Sequence, residues 1–283
     1  MLRRLPPHTY FVVSALFHYL GPAFAVLLFA RLDVLGVAWL RIASAAVIFA
    51  LWRRPWRTLR TLDRPGRLLL AGWGLTLAIM NVCFYTAIDR LPLGTVAAIE
   101  FLPVIALAAV GARSARNVLA LALAVAGVYL LTDVQLAVEP TGLVFAFANA
   151  VLFALYIVLA DRVAKHPAVG GIDGLAAAML IALVCVTPVA GGAALPAFAE
   201  PAVLLAGIGV GITSSVIPYI ADQLALARLP RATYALMVAL LPATATVIGI
   251  AVLAQVPGAL EVAGVALVVS GVAVHREPAP VLA

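Results

Sequence analysis

The sequence predicts an all-α integral membrane protein, with ten transmembrane helices arranged as two inverted five-helix repeats. Three observations lead there. Apolar residues make up 65% of the 283-residue chain and charged residues 11%, against about a half and a quarter in ordinary soluble domains. The apolar residues gather in ten runs, most of them near the ~20 residues that cross a ~30 Å hydrocarbon core. Basic residues concentrate in every second gap between those runs, as expected where cytoplasmic loops retain Lys and Arg.

In chain order the runs lie at 9–29, 34–52, 67–88, 93–111, 117–132, 141–160, 173–190, 202–224, 232–253 and 259–275. With the N-terminus inside, the inner segments carry Arg3 and Arg4, the block Arg53, Arg54, Arg57, Arg60, Arg64 and Arg67, then Arg113 and Arg116, Arg162 and Lys165, Arg228 and Arg231, and Arg276. The outer loops hold only Arg31 and Arg90, and Arg41 is the one basic residue inside a run. An extra or missing helix would scramble this alternation, so both termini are expected in the cytoplasm. The start MLRRLPPHTY is basic, but the run behind it is long enough to span and has no A-x-A-like cleavage site. It reads as the first membrane helix. One lysine stands against 17 arginines, a bias associated with GC-rich bacterial genomes, so the expected location is the bacterial inner membrane.

The halves resemble each other. Ile88 to Pro103, IDRLPLGTVAAIEFLP, matches Ala227 to Pro242, ARLPRATYALMVALLP: each carries Arg, a Leu-Pro turn and then a proline inside the following helix. The expected units are residues 1–138 and 139–283. Five is odd, so tandem units must cross the membrane in opposite senses, a common plan of secondary transporters with the substrate site near the midplane.

The net charge of +6 does not point to nucleic acid, because the basic residues sit in short gaps where they orient helices. Cys83 and Cys185 lie inside apolar runs far apart, with neither metal-ligand nor disulfide spacing. The chain has no P-loop, no H-E-x-x-H and no G-x-S-x-G. No enzyme or cofactor is therefore expected, and transport would draw on a gradient.

Charge inside a membrane helix costs on the order of 2.5–3.5 kcal/mol on insertion scales, so it persists where it faces a cavity or a partner. Glu100 lies seven residues into the fourth run and Arg41 seven into the second, both counted from the outer end, so at ~1.5 Å per residue they share a depth of about 10 Å and can meet. The pair reads either as a buried structural ion pair or as a transport site. Asn81 and Tyr85, one turn apart on the third run, approach the same depth, and His18 beside Gly21-Pro22 falls near mid-membrane. Asn81 has the alternative reading of an interhelical hydrogen bond, and Tyr85 and His18 that of packing. In the eighth run Pro218 frees a backbone carbonyl, tolerated where other groups re-satisfy it. Beside it are Tyr219 and Asp222, the latter a gate, an interfacial cap or a partner of Arg228. Glycines 207, 209 and 211 form a small-residue face suited to close packing.

These residues resemble the drug/metabolite transporter superfamily, in particular its EamA-type ten-helix members and, among those, the threonine/homoserine exporters. The stretches that carry the resemblance are VAWLRIASAAVIFALWRRPWR (Val37 to Arg57), NVCFYTAIDRLPLGTVAAIEF (Asn81 to Phe101) and VIPYIADQLALARLP (Val216 to Pro230). They set Arg41, Asn81, Tyr85, Glu100, Pro218, Tyr219 and Asp222 at the family's positions. Three places depart from its pattern. Glu-Phe-x-Gly-Pro is here Glu100-Phe101-Leu102-Pro103, Leu-Glu-Pro is Leu240-Leu241-Pro242, and a Gly-Glu pair is Ala254-Gln255. Two acids of the usual set are thus absent, and the coupling role falls on Glu100.

The resemblance implies proton-coupled export of amino acids or similar small polar metabolites. Glu100 would couple protons; Arg41, Asn81, Tyr85, His18 and Tyr219 would bind substrate; Asp222 would gate. The expected partners are a small-molecule substrate, protons and the lipid bilayer, with a homodimer as a further option. Two alternatives stand beside this reading: a multidrug exporter of amphipathic compounds, and a non-transporting membrane protein that binds a ligand.

Overall fold

A computed structural model of the chain describes residues 7–111, 114–136, 139–164, 166, 169, 171–226 and 241–274. The elements are α1 (Pro7–Leu28), α2 (Val34–Arg53), α3 (Pro55–Thr61), α4 (Arg64–Ile88), α5 (Leu93–Gly111), α6 (Ala115–Leu136), α7 (Pro140–Ala164), α8 (Gly171–Ala194), α9 (Pro201–Gly211), α10 (Ile217–Leu226), α11 (Leu241–Leu253) and α12 (Ala259–Val274). Among the described residues there is no strand. Six stretches are long and apolar enough to cross a membrane: Thr9–Leu28, Val34–Arg53, Arg64–Ile88, Pro140–Val163, Gly171–Ala199 and Pro201–Ala221. Four shorter apolar helices, Leu93–Pro103, Ala115–Leu131, Leu241–Leu253 and Ala259–Val274, fall in the remaining runs. Residues 232–240 of the ninth run, and with them most of the repeat match at Ala227 to Pro242, lie outside the described residues.

Local chemistry sets the helix ends. Asp33 caps α2 by accepting the Leu35 N–H at 2.8 Å, and Asp63 caps α4 by accepting the Gly66 N–H at 3.0 Å, each satisfying a donor the first turn leaves free. The Arg-rich gap after α2 contains a short helix. Arg54 turns left-handed with φ 52° to end α2, and Pro55, whose ring presets the helical φ, starts α3. Trp56, Arg57 and Arg60 are exposed on α3, while Pro55 and Leu62 are buried, the distribution of a short helix lying at an interface.

Among the described residues the helices pack mainly through two large apolar clusters, with a smaller one around Phe101, Ala120 and Ala124. One large cluster joins Tyr19, Tyr85, Leu91, Leu93, Ile99 and Leu131; the second joins Phe49, Leu70, Trp73, Leu77, Met179 and Tyr219. Outward faces carry exposed Leu51, Val144, Val189, Leu205 and Val247. Such a surface is a liability in water and natural in lipid. α2 lies along α8 and α9, α1 along α10, α4 against α7 and α8, and α6 against α12.

Small residues let two of these contacts close up. A methyl group on Gly211 would stand 2.8 Å from the Arg41 carbonyl oxygen, and one on Gly207 would run into the Leu40 side chain. Gly209, two residues from each and off that face, meets nothing. The expected small-residue face is therefore the i, i+4 pair, which seats α9 on the segment of α2 that carries Arg41.

Candidate functional site

Proline and a widened turn build the first half of the site. Between α9 and α10 the chain makes a π-turn over Ile212–Val216, in which the Ile217 N–H reaches back to the Ile212 oxygen. Pro218 has no N–H, so the carbonyl four residues earlier, on Ser214, loses its helical donor. Arg41 takes that place: its Nη2 donates to the Ser214 oxygen at 3.1 Å and its Nε donates to Ser215 Oγ at 3.0 Å. The guanidinium also lies 5.3 Å from the centre of the Tyr85 ring, within cation–π range. Gly21 makes room for the turn on the facing helix, since a methyl group there would lie 2.2 Å from Ser214 Oγ.

The second half is Glu100. It is 6% exposed, and its Oε1 accepts a hydrogen bond from Asn149 Nδ2 on α7 at 3.1 Å. Equal depth led to the expectation that Glu100 and Arg41 meet. Among the described residues they form no ion pair. The freed Ser214 carbonyl and the Ser215 hydroxyl draw the guanidinium toward the π-turn, leaving the carboxylate to the amide. Their charges still act on each other across the gap.

Around these two charges, polar atoms are left over. Of the five buried side-chain nitrogen and oxygen atoms without a hydrogen-bond partner among the described residues, four are here: Tyr19 Oη, Tyr85 Oη, Asn149 Oδ1 and Ser214 Oγ. Tyr85 Oη stands near Ser214 and Arg41 without hydrogen-bond geometry to either, and the Tyr19 hydroxyl is within electrostatic reach of Glu100. Each unmet buried group costs roughly 1–3 kcal/mol. Four of the five thus gather around the same two buried charges.

The other sequence-predicted residues divide. His18 is half-buried, packs edge-on against Tyr19 with ring centroids 5.5 Å apart, and feels the Arg41 charge. Asn81 is buried but turns its amide along its own helix, Nδ2 donating to the Leu77 oxygen at 2.8 Å. Tyr219 sits in the second apolar cluster with Ile42, Phe49 and Met80. The backbone of Asp222 lies in α10, while its side chain and Arg228 are outside the described residues. No group of three or more His, Cys, Asp or Glu that could hold a metal occurs among the described residues. Asn149, Ser214, Ser215 and Tyr19 were not singled out from the sequence. Two signals were available: Asn149 is an amide inside an apolar run, and Ser214 is four residues before Pro218.

Comparison with known proteins bears on this arrangement. A model of the EamA-like transporter family matches residues 140–275. The threonine/homoserine exporter RhtA of Escherichia coli (strain K12) is 32% identical over 241 residues, covering 83% of this chain and 79% of that protein. The chain belongs to the EamA-like transporter family. The threonine/homoserine exporter RhtA of Salmonella typhimurium (strain LT2) is 29% identical over 267 residues, 91% of this chain and 88% of that one. A solved crystal structure at 20% identity superposes with a TM-score of 0.60 over 94% of this chain and 97% of that one, which extends the likeness of fold. A member of this family is a membrane-embedded transporter and not an enzyme, and the buried polar centre is read in that light.

One departure from the family's pattern has a structural counterpart. Where the family has Gly-Glu, Ala254 holds a left-handed φ of 54° and Gln255 Oε1 accepts the Leu93 N–H at 3.1 Å. The neutral amide thus caps the first turn of α5, the helix that carries Glu100.

Proposed function

We propose that this chain is a proton-coupled exporter of small amino acids in the bacterial inner membrane, working by alternating access between two inverted five-helix units at 1–138 and 139–283 with both termini cytoplasmic. Support for the two units comes from their sequence likeness, from the alternation of basic gaps, and from a family model that covers 140–275, nearly the whole second unit. Support for the substrate comes from relatives named as threonine/homoserine exporters. The observation that carries the mechanism is one buried cation and one buried acid, held apart and surrounded by unpartnered polar atoms.

In this reading Arg41 receives the substrate carboxylate. Its planar fork suits two oxygens at once, and the serines and the freed carbonyl hold it in place. Glu100 exchanges a proton for substrate. His18, Tyr85 and Asn81 line the path, Tyr219 packs behind it, and Asp222 belongs to its cytoplasmic gate.

The test is threonine and homoserine flux in proteoliposomes under an imposed pH gradient. Wild type concentrates both relative to protein-free liposomes, and Glu100→Gln loses gradient-driven flux while keeping its fold. Normal gradient-driven flux in that variant would falsify the coupling role. Efflux of cationic dyes in preference to amino acids would return the amphipathic-drug reading.

A further inference from the structure

Asn149 has no part in the mechanism above, yet it is the one hydrogen-bond partner of Glu100 among the described residues. It is fully buried, donates from Nδ2 to Glu100 Oε1 at 3.1 Å, and leaves Oδ1 without a partner. Its placement follows from the acid's chemistry. An ionised carboxylate only accepts hydrogen bonds, so the amide must show it the NH2 group and turn its oxygen away. The carbonyl oxygen is then a buried acceptor beside a buried anion, with nothing to accept from.

A protonated Glu100 changes that. The carboxyl O–H becomes a donor whose complement is Asn149 Oδ1, while its remaining C=O still accepts from Nδ2. A neutral acid and an amide close such a pair with both bonds in one plane, after a rotation of the amide about its terminal torsion, which is broad and easily turned. The oxygen that had no partner is then taken up by the carboxyl proton.

We propose that Asn149 makes proton and substrate binding mutually exclusive: with Glu100 ionised, Asn149 Oδ1 and the carboxylate together hold the ammonium group of an amino acid, and with Glu100 protonated that oxygen is taken by the carboxyl proton. This rests on the amino-acid export reading and gives it a substrate requirement, a free amine. The site becomes bipolar, with Arg41, Ser215 and Tyr85 at the carboxylate end and Glu100 with Asn149 at the ammonium end. The charged and titratable groups that bear on Glu100 are Arg41 from α2 and Tyr19 from α1, with Asn149 presented by α7. No bond is made or broken beyond the proton itself, which enters Glu100 from one side of the membrane and leaves to the other after substrate has moved.

The experiment measures equilibrium binding of threonine and of its deaminated analogue, 2,3-dihydroxybutanoate, to purified full-length protein across a range of pH. In wild type, threonine affinity falls up to tenfold for each unit of acidification through the titration of Glu100, because protons and ammonium compete, while the analogue binds weakly with no such slope. In Asn149→Leu, threonine affinity drops about tenfold, the scale of one lost charge-assisted hydrogen bond, the preference for threonine over the analogue shrinks, and the pH slope flattens. Asn149→Gln, which restores the amide, recovers part of both. Equal pH slopes for threonine and analogue in wild type overturn the proposal without needing any variant to fold. An Asn149→Leu protein with full amine preference and full slope also overturns it, leaving a structural role. Wild type that binds neither threonine nor homoserine at any pH removes the export reading itself, and the proposal with it.

Discussion

Arg41 and Glu100 are almost equally buried, 7% and 6% exposed, yet the fold treats them in opposite ways. Three groups hold Arg41: a serine hydroxyl, a carbonyl released by a proline, and the face of a tyrosine ring. One amide hydrogen bond is recorded at Glu100. A guanidinium stays charged at any biological pH, so its cost of burial must be met by fixed acceptors, and those fix its position. A carboxyl group can shed its charge instead. The difference assigns roles: the cation is a rigid receptor, and the acid is the group free to change state.

Several substitutions separate the two centres, and Glu100→Gln has the largest expected effect. It keeps the shape of the side chain but removes the titratable charge, and gradient-driven flux of labelled threonine in proteoliposomes falls by at least a hundredfold. Arg41→Lys comes next. The ammonium has no fork and cannot reach Ser215 and the Ser214 carbonyl in the same geometry, so substrate affinity falls roughly 10- to 100-fold with the proton dependence of the remainder unchanged. Loss of the pH slope in Arg41→Lys would mean that the two centres are one unit.

Smaller effects probe the supports. Pro218→Ala returns an N–H to the turn, and that N–H competes with Arg41 for the Ser214 carbonyl. Thermal stability should rise, by about 1 kcal/mol for a regained helical bond, while affinity falls a few-fold; unfolding in detergent and binding report the two. Tyr85→Phe removes a hydroxyl that has no partner. Stability should rise, by about 1 kcal/mol for a buried hydroxyl relieved of its unmet bond, while affinity changes by a few-fold at most.

Legibility from sequence varied with the range of the cause. Helix caps at Asp33 and Asp63 and the stop at Arg54-Pro55 depend on neighbours within four residues. The glycine face of α9 was visible, but which glycines touch α2 was not. That depends on the rotation of one helix against another, and it selects Gly207 and Gly211 over Gly209. Asn81 and Asn149 look alike in sequence, each a lone amide in an apolar run. One bonds back to its own helix and the other reaches Glu100, a choice made by which face each helix turns inward.

What the sequence determined by itself was the solvent of the fold and the inventory of its site: apolar runs of spanning length, basic residues gathered in every second gap, and charges inside the runs at Arg41 and Glu100. These follow from composition and period, because hydrocarbon penalises every exposed polar group and so leaves its mark along the chain. Only the tertiary structure decided how that inventory pairs. Equal depth in the membrane allowed Arg41 and Glu100 to meet, yet depth is one coordinate of three. The Ser214 carbonyl freed by Pro218, 173 residues from Arg41 in sequence, competes for the guanidinium from across the bundle, and hydrogen-bond geometry acts over a few ångströms that no linear pattern records.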